Sequence, residues 1–149
     1  MSKIEIGKTP FSKFGQIGLI VGDIDKAVEF LSSLGIGPFV PMTWPACVEV
    51  REGGKPIDIK LKLKFAYWGG VELELTQPLT KCMQMDFLKK TGGGIHHLAF
   101  FTDDLDGEVD KLVKRGIKVI QRGRREKGGG FAFFDTEKYC GTVLELVQR

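Results

Sequence analysis

A chain of 149 residues with 42% hydrophobic composition can bury one good core, and we expect a single domain over residues 1–149. The net charge of +3 is small and dispersed, which excludes the clustered basic stripe of a nucleic-acid-binding protein. Three cysteines without metal or disulfide spacing, no apolar signal core and no membrane-length window predict a reduced, cytoplasmic protein without a membrane partner.

The N-terminal half begins with a predicted strand and helix. Residues 16–21 predict a short strand, and Asp23 or Asp25 caps a helix whose apolar residues recur at helical spacing up to Leu31. Gly35 ends this helix. Residues 57–65 alternate apolar and polar without a break, which predicts a strand with one covered and one wet face. A Gly-Gly turn then leads into a strand over residues 71–77.

The second half follows the same order after a linker. Residues 79–94 join the halves, with a short helix predicted around residues 83–90. Asp104 or Asp106 opens another helix, and Gly116 takes the C-terminal position that Gly35 takes in the first half. Residues 144–148 predict the last strand.

The chain contains an internal repeat. Residues 16–36 align without gaps over residues 97–117, and the Leu-Glu-Leu of residues 73–75 recurs at residues 144–146. The offset falls from 81 to 71, so the first half carries about ten extra residues, which we expect at the surface. Two βαβββ modules, over about 14–78 and 95–149, therefore predict an α+β fold: a half-open antiparallel barrel around a concave metal site.

The repeat brings four possible metal ligands into equivalent positions. If the helices cover the apolar strand faces, Glu74 and Glu145 point into the concavity, and Gln16 and His97 occupy the same place on the first strands. One amide, one imidazole and two carboxylates suit a divalent ion such as zinc, nickel, cobalt or manganese. For a single glutamate, a solvated face is the competing interpretation. Because neighbours on a strand face opposite ways, His96 is expected to be structural, which disfavours a two-histidine iron site.

Basic and aromatic residues outside this set can be interpreted either as structural or as part of a substrate site. The lysines of residues 60–64 and the basic cluster Arg122–Lys127 favour a wet strand face and a solvated hairpin, although either could hold an anionic substrate group. Four aromatic residues could line a pocket or belong to the core: Trp44, Trp68, Phe131 and Phe133.

Several segments resemble the vicinal oxygen chelate superfamily, which includes glyoxalase I, methylmalonyl-CoA epimerase, ring-cleaving dioxygenases and antibiotic-resistance proteins. Residues 93–105 resemble the segment bearing the third ligand of the epimerases, and residues 74–79 and 141–146 resemble those bearing the second and fourth. The resemblance covers residues 16–148 and implies metal ligation by Gln16, Glu74, His97 and Glu145. Epimerases usually have histidine as first ligand; the glutamine matches animal glyoxalase I.

The resemblance implies a metal-dependent isomerase, epimerase or lyase. Its substrate would be a small carbonyl compound, possibly a coenzyme A thioester, that loses a proton to give a metal-stabilised enediolate. Glu145 resembles the ligand that doubles as base in glyoxalase I, with Glu74 or Asp58 acting on the other face. Asp58 lies sixteen residues before Glu74, where an ungapped count places the second catalytic glutamate of epimerases. Ile20 and Pro78 replace the residues with which glyoxalase I holds glutathione.

Two other functions are compatible with the same fold. One is a metal-free protein that binds a drug or small metabolite, as in bleomycin resistance. The other is a thiol transferase acting on an antibiotic, which the glutamine at position 16 disfavours because the comparable enzymes use histidine there. Exposed sheet edges also lead us to expect a homodimer.

Overall fold

The computed structural model of the protein describes residues 3–42 and 47–149. In chain order the elements are β1 (Phe14–Ile20), α1 (Ile24–Ser33), β2 (Val40–Met42), β3 (Glu49–Glu52), β4 (Lys55–Pro56), β5 (Leu61–Trp68), β6 (Val71–Pro78), α2 (Met83–Thr91), β7 (Gly94–Phe101), α3 (Leu105–Lys114), β8 (Val119–Arg124), β9 (Gly130–Phe134), α4 (Glu137–Cys140) and β10 (Val143–Gln148). Each helix within these residues is far shorter than the roughly 20 residues that a bilayer crossing requires.

The strands form one sheet in the order β2-β5-β6-β1-β7-β10-β9-β8-β3-β4. The predicted α+β architecture of two βαβββ modules in a curled half-barrel is confirmed. The sheet is mixed, because β6 runs parallel to β1 and β10 parallel to β7. A helix reverses the chain after the first strand of each module, so the last strand runs in the same direction as the first. The modules meet where β1 and β7 pair antiparallel.

The pairing of β1 with β7 has the symmetry that the repeat predicts. Gln16 pairs with Ala99, and Gly18 pairs with His97. The repeat offset of 81 exchanges these two pairs, so a pseudo-two-fold axis passes between the strands at this point. On the outer sides Gly18 pairs with Glu74, and Ala99 pairs with Glu145. The two glutamates are therefore related by the same axis.

The extra residues of the first half form a hairpin at the edge of the sheet, and most of its residues are exposed, as expected. Strands β3 and β4 have no counterpart in the second module, and β3 pairs with β8 at that module's edge. Val50 on β3 and Ile59 after β4 are buried in one apolar cluster with Leu61, Leu63 and Cys82. The chain thus crosses to the second module and returns, because this apolar surface is more favourably buried than exposed.

The helices cover the apolar sides of the module-ending strands. Helix α1 begins after Asp23, whose side chain accepts a hydrogen bond from the Lys26 backbone N–H, and α3 begins in the same way after Asp104. Residues of α1 pack against Leu73 and Leu75 of β6, and those of α3 pack against Leu146 of β10. Because side chains alternate along a strand, the glutamates of β6 and β10 face away from α1 and α3.

A substitution at Gly130, at the start of β9, tests the close backbone packing of β8 against β9. Its φ is +139°, and a Cβ there would overlap the carbonyl oxygen of Gly123 on β8. We expect Gly130→Ala to lower the free energy of unfolding by about 1–3 kcal/mol, measured by urea denaturation. Gly70→Ala is the matched control, since a Cβ there meets nothing within 4 Å. Equal stability of both variants would contradict the described β8–β9 packing.

Candidate metal centre

A narrow cavity opens on the face of the sheet opposite helices α1 and α3. Gln16, Glu74, His97 and Glu145 all line it. Much of the remaining wall is apolar and comes from β5 and β9: Leu61, Leu63, Phe65, Phe131 and Phe133. The cavity volume is about 70 Å³, well above the roughly 10–15 Å³ that admits a single water molecule. The cavity therefore fits a small group and its immediate ligands.

The imidazole of His97 is the point on which the other three side chains converge. Its Nε2 atom lies 3.1 Å from Gln16 Oε1, 3.1 Å from Glu145 Oε2 and 3.5 Å from Glu74 Oε1. The four residues come from β1, β6, β7 and β10, which are neighbours at the centre of the sheet. The structure thus brings together all four ligands expected from the sequence.

The site disfavours charge in its carboxyl groups. Burial raises the pKa of Glu145 well above its usual range, and the nearby Glu74 adds to this effect. Burial also raises the pKa of Glu74 to about 7; the Thr76 hydroxyl opposes this shift by donating to the carboxylate, Glu72 adds to it and Arg149 opposes it. Burial lowers the pKa of His97 well below its usual range. A bound cation would reverse this preference for the carboxylates, because ligating carboxyl groups give up their protons.

The donor set fits a divalent metal, although the side chains are not already spaced around one. In residues 3–42 and 47–149, no group of three or more His, Cys, Asp or Glu stands where it would hold a metal ion. Glu145 Oε2, however, is buried and accepts no hydrogen bond despite its 3.1 Å distance from His97. Such an oxygen is costly to bury without a partner, and a cation would provide one.

Glu72 and Arg149 complete the polar site, and neither was predicted as a site residue from the sequence. Glu72 is buried, and its Oε1 accepts a hydrogen bond from Gln16 Nε2 at 2.6 Å and another from Arg149 Nη2 at 2.5 Å. The Arg149 guanidinium lies over the Phe101 ring, 4.8 Å from its centroid. The alternation of β6 places Glu72 on the face of Glu74, which was the available signal for it. Arg149 lies beyond the predicted last strand and had no such signal.

A β-bulge in β7 explains the arrangement of the two histidines. Gly18 pairs with His97 and Leu19 with Ile95, which leaves His96 as the extra residue. The His96 ring packs edge-to-face on Phe87 of α2 with centroids 4.9 Å apart, and its Nδ1 lies 3.0 Å from Nδ1 of His97. Burial lowers its pKa to about 4. As expected, His97 lines the cavity, whereas His96 does not line it and contacts the His97 ring.

Gly18 provides the space that His97 occupies. A Cβ at this position would overlap the imidazole ring. Its repeat equivalent is Ala99, which lies opposite the slimmer Gln16 side chain. The different residues at these two equivalent positions therefore follow from the different ligands opposite them.

Asp58 is not brought to the cavity. It is exposed between β4 and β5, because its neighbours Ile57 and Ile59 turn toward the apolar cluster. Lys60 and Lys62 are likewise exposed, which agrees with a solvent-exposed face at the start of β5.

Only some residues of the basic cluster and of the aromatic group line the cavity. Arg122 pairs with Asp106 of α3, whereas Arg125 lines the cavity. Phe131 and Phe133 line the cavity, Trp68 is 54% exposed, and Trp44 lies outside the described residues.

Known proteins share this fold. Methylmalonyl-CoA epimerase from Mycobacterium tuberculosis superposes with a TM-score of 0.68 at 21% identity, over 97% of this chain and 92% of that one. The Streptomyces coelicolor epimerase in complex with 2-nitronate-propionyl-CoA gives 0.71 at 24% identity, over 93% and 94% of the two chains. A hypothetical protein from Bacillus halodurans C-125 gives 0.70 at 22% identity, over 92% and 94%.

Sequence similarity adds a curated relative and a family. The uncharacterized protein YqjC of Bacillus subtilis (strain 168) is 33% identical over 92 residues, which cover 60% of this chain and 66% of that protein, just under two thirds of its length. The family model described as "Glyoxalase/Bleomycin resistance protein/Dioxygenase superfamily" matches residues 15–134. Because that match covers most of the chain and agrees with the paired modules around one cavity, the chain belongs to the glyoxalase/bleomycin resistance protein/dioxygenase superfamily.

Proposed function

We propose that the protein is a metal-dependent enzyme that removes a proton beside a carbonyl group, as an epimerase or isomerase or as a lyase of the glyoxalase I type. The observation that carries the proposal is the convergence of three side-chain oxygens on His97 Nε2 within 3.5 Å in a buried cavity. A protein that only enclosed an apolar ligand would have no use for two buried carboxyl groups, because each is costly to bury.

Four side chains would hold the metal: Gln16 through Oε1, His97 through Nε2, and Glu74 and Glu145 through their carboxylates. Imidazole, carboxylate and amide oxygen together suit zinc, nickel, cobalt or manganese. When bound, such an ion supplies positive charge to the carbonyl oxygen of the substrate as the neighbouring proton leaves. Gly18 keeps the space in which the His97 ring reaches this position.

Glu145, in its unprotonated form, would take the proton, and Glu74, in its protonated form, would return one on the other face. Glu145 lines the cavity and would be ionised when it binds the metal, so its carboxylate could accept a proton from a substrate held beside it. Glu74 occupies the equivalent place across the pseudo-two-fold axis. Two carboxyl groups related in this way suit an epimerase, in which one group removes a proton and another replaces it. Asp58 has no part in this proposal, because it is exposed away from the cavity.

The walls of the cavity support a small acyl substrate with an anionic group. Arg125 lines the cavity and donates to the Gln148 carbonyl oxygen at 3.4 Å. In the described part of the chain it forms no ion pair with a carboxylate. A carboxylate or phosphate of the substrate would satisfy it. The enclosed volume admits an acyl unit, so the rest of a coenzyme A thioester would lie outside.

Metal affinity tests the ligand set directly. We expect chelator-treated protein to bind one zinc, nickel, cobalt or manganese ion in calorimetry, and His97→Ala or Glu145→Ala to weaken binding by at least about 100-fold, more than loss of a supporting residue costs. Glu108→Gln on α3 is a control for charge, since this carboxylate pairs with Lys111 outside the site. If none of the four ions binds the wild-type protein, a metal-free ligand-binding protein becomes the better account.

Proton abstraction tests the role of Glu145. In deuterated water, we expect the metal-loaded protein to exchange the proton beside the carbonyl of a carboxylated acyl-coenzyme A thioester or a related carbonyl compound, followed by NMR. Glu145→Gln should reduce the exchange rate by about 10²–10⁴-fold, since it removes the base and keeps the side chain's size. Asp58→Asn should leave the rate unchanged. Full exchange by a folded, metal-loaded Glu145→Gln variant would rule out this base.

A further inference from the structure

The amide of Gln16 has two chemically different ends, and only one can bind a cation. Its oxygen accepts, whereas its nitrogen carries two hydrogens and only donates. A rotation of 180° about the last side-chain bond would exchange them with little change of shape. Something must therefore hold the oxygen toward His97 if Gln16 is to act as a ligand.

We propose that Glu72 is the positioning residue that fixes the Gln16 amide with its oxygen toward the metal site. This inference rests on the proposed metal-dependent function. Gln16 Nε2 donates to Glu72 Oε1 at 2.6 Å, while Gln16 Oε1 lies 3.1 Å from His97 Nε2. Gln16 and Glu72 are 3% and 5% exposed, so water does not compete for this contact. A flipped amide would turn its oxygen toward an acceptor-only carboxylate in a buried place, which is unfavourable.

Arg149 keeps Glu72 in this role. Its guanidinium donates to the same Oε1 atom that receives the Gln16 hydrogen bond, and its position over the Phe101 ring holds it there. The pairing balances the charge of the carboxylate and occupies the oxygen that faces the site. Glu72 therefore acts through Gln16 and is not a fifth ligand.

The second module provides an internal comparison. Gln16 pairs with Glu72 across β1 and β6, and the equivalent pair across β7 and β10 is His97 with Val143. Beside the histidine ligand the chain has valine, which cannot accept a hydrogen bond. The second ring nitrogen of His97 instead lies 3.0 Å from His96. The buried carboxylate thus stands beside the amide ligand, where orientation matters, and is absent from the equivalent place beside the imidazole.

A double-mutant cycle tests the inference. Zinc and manganese affinities are measured by calorimetry for the wild type, Glu72→Gln, Gln16→Ala and the double variant. We expect Glu72→Gln to weaken binding by about 10–100-fold in the wild-type background, as for residues that orient metal ligands. In the Gln16→Ala background the same change should cost less than about threefold, because no amide remains to be oriented.

Glu72→Asp separates orientation from charge and serves if Glu72→Gln does not fold. It keeps the negative charge but withdraws the carboxylate by one methylene, so we expect a loss similar to that of Glu72→Gln. Equal losses from Glu72→Gln in both backgrounds, or unchanged affinity in Glu72→Asp, would overturn the positioning role while leaving the metal site intact. No metal binding by the wild-type protein would overturn the proposed function itself, and this inference with it.

Discussion

The antiparallel pairing of β1 with β7 is the constraint on which the site depends. It places Gln16 beside Ala99 and Gly18 beside His97, so that the two first-strand ligands meet across a pseudo-two-fold axis. The parallel partners β6 and β10 then bring one glutamate to each side. A shift of this register by one residue would place the ligands of one module on the opposite face of the sheet from those of the other. The fold and the site are therefore specified by the same pairing.

The chemistry of the site also depends on the unfavourable free energy of burying two charged carboxyl groups. Burial in a cavity with largely apolar walls raises the pKa of both Glu74 and Glu145, and Glu74 adds to the shift of Glu145. Both effects favour neutralisation of the carboxylates by protons or by a cation. A divalent ion would neutralise both groups together and would contact Glu145 Oε2, which accepts no hydrogen bond. Glu72 shows the contrast, because Arg149 already compensates its charge. In the described residues, the polar site thus contains one carboxylate that pairs with an arginine and two that do not.

The sequence predicted the parts of the fold and site that depend on local pattern and on the repeat. Alternation placed Glu74 and Glu145 on one face, and the repeat selected His97 over His96. Asp58 was assigned by an ungapped count back from Glu74, and that count runs past the start of β5 into the exposed segment that follows the extra hairpin. The β7 bulge and the contact of Arg149 with Glu72 depend on residues distant in sequence. Neither leaves a periodic signal in the chain.

The central claim is that four side chains from the two modules hold one divalent ion. Anomalous diffraction from crystals soaked in zinc or manganese, recorded at the absorption edge of the metal, tests it most directly. The account predicts one strong peak in the cavity, within ligating distance of Gln16 Oε1, His97 Nε2 and the carboxylates of Glu74 and Glu145. A cavity without a peak at saturating metal, or a peak that excludes either module's ligands, would contradict it.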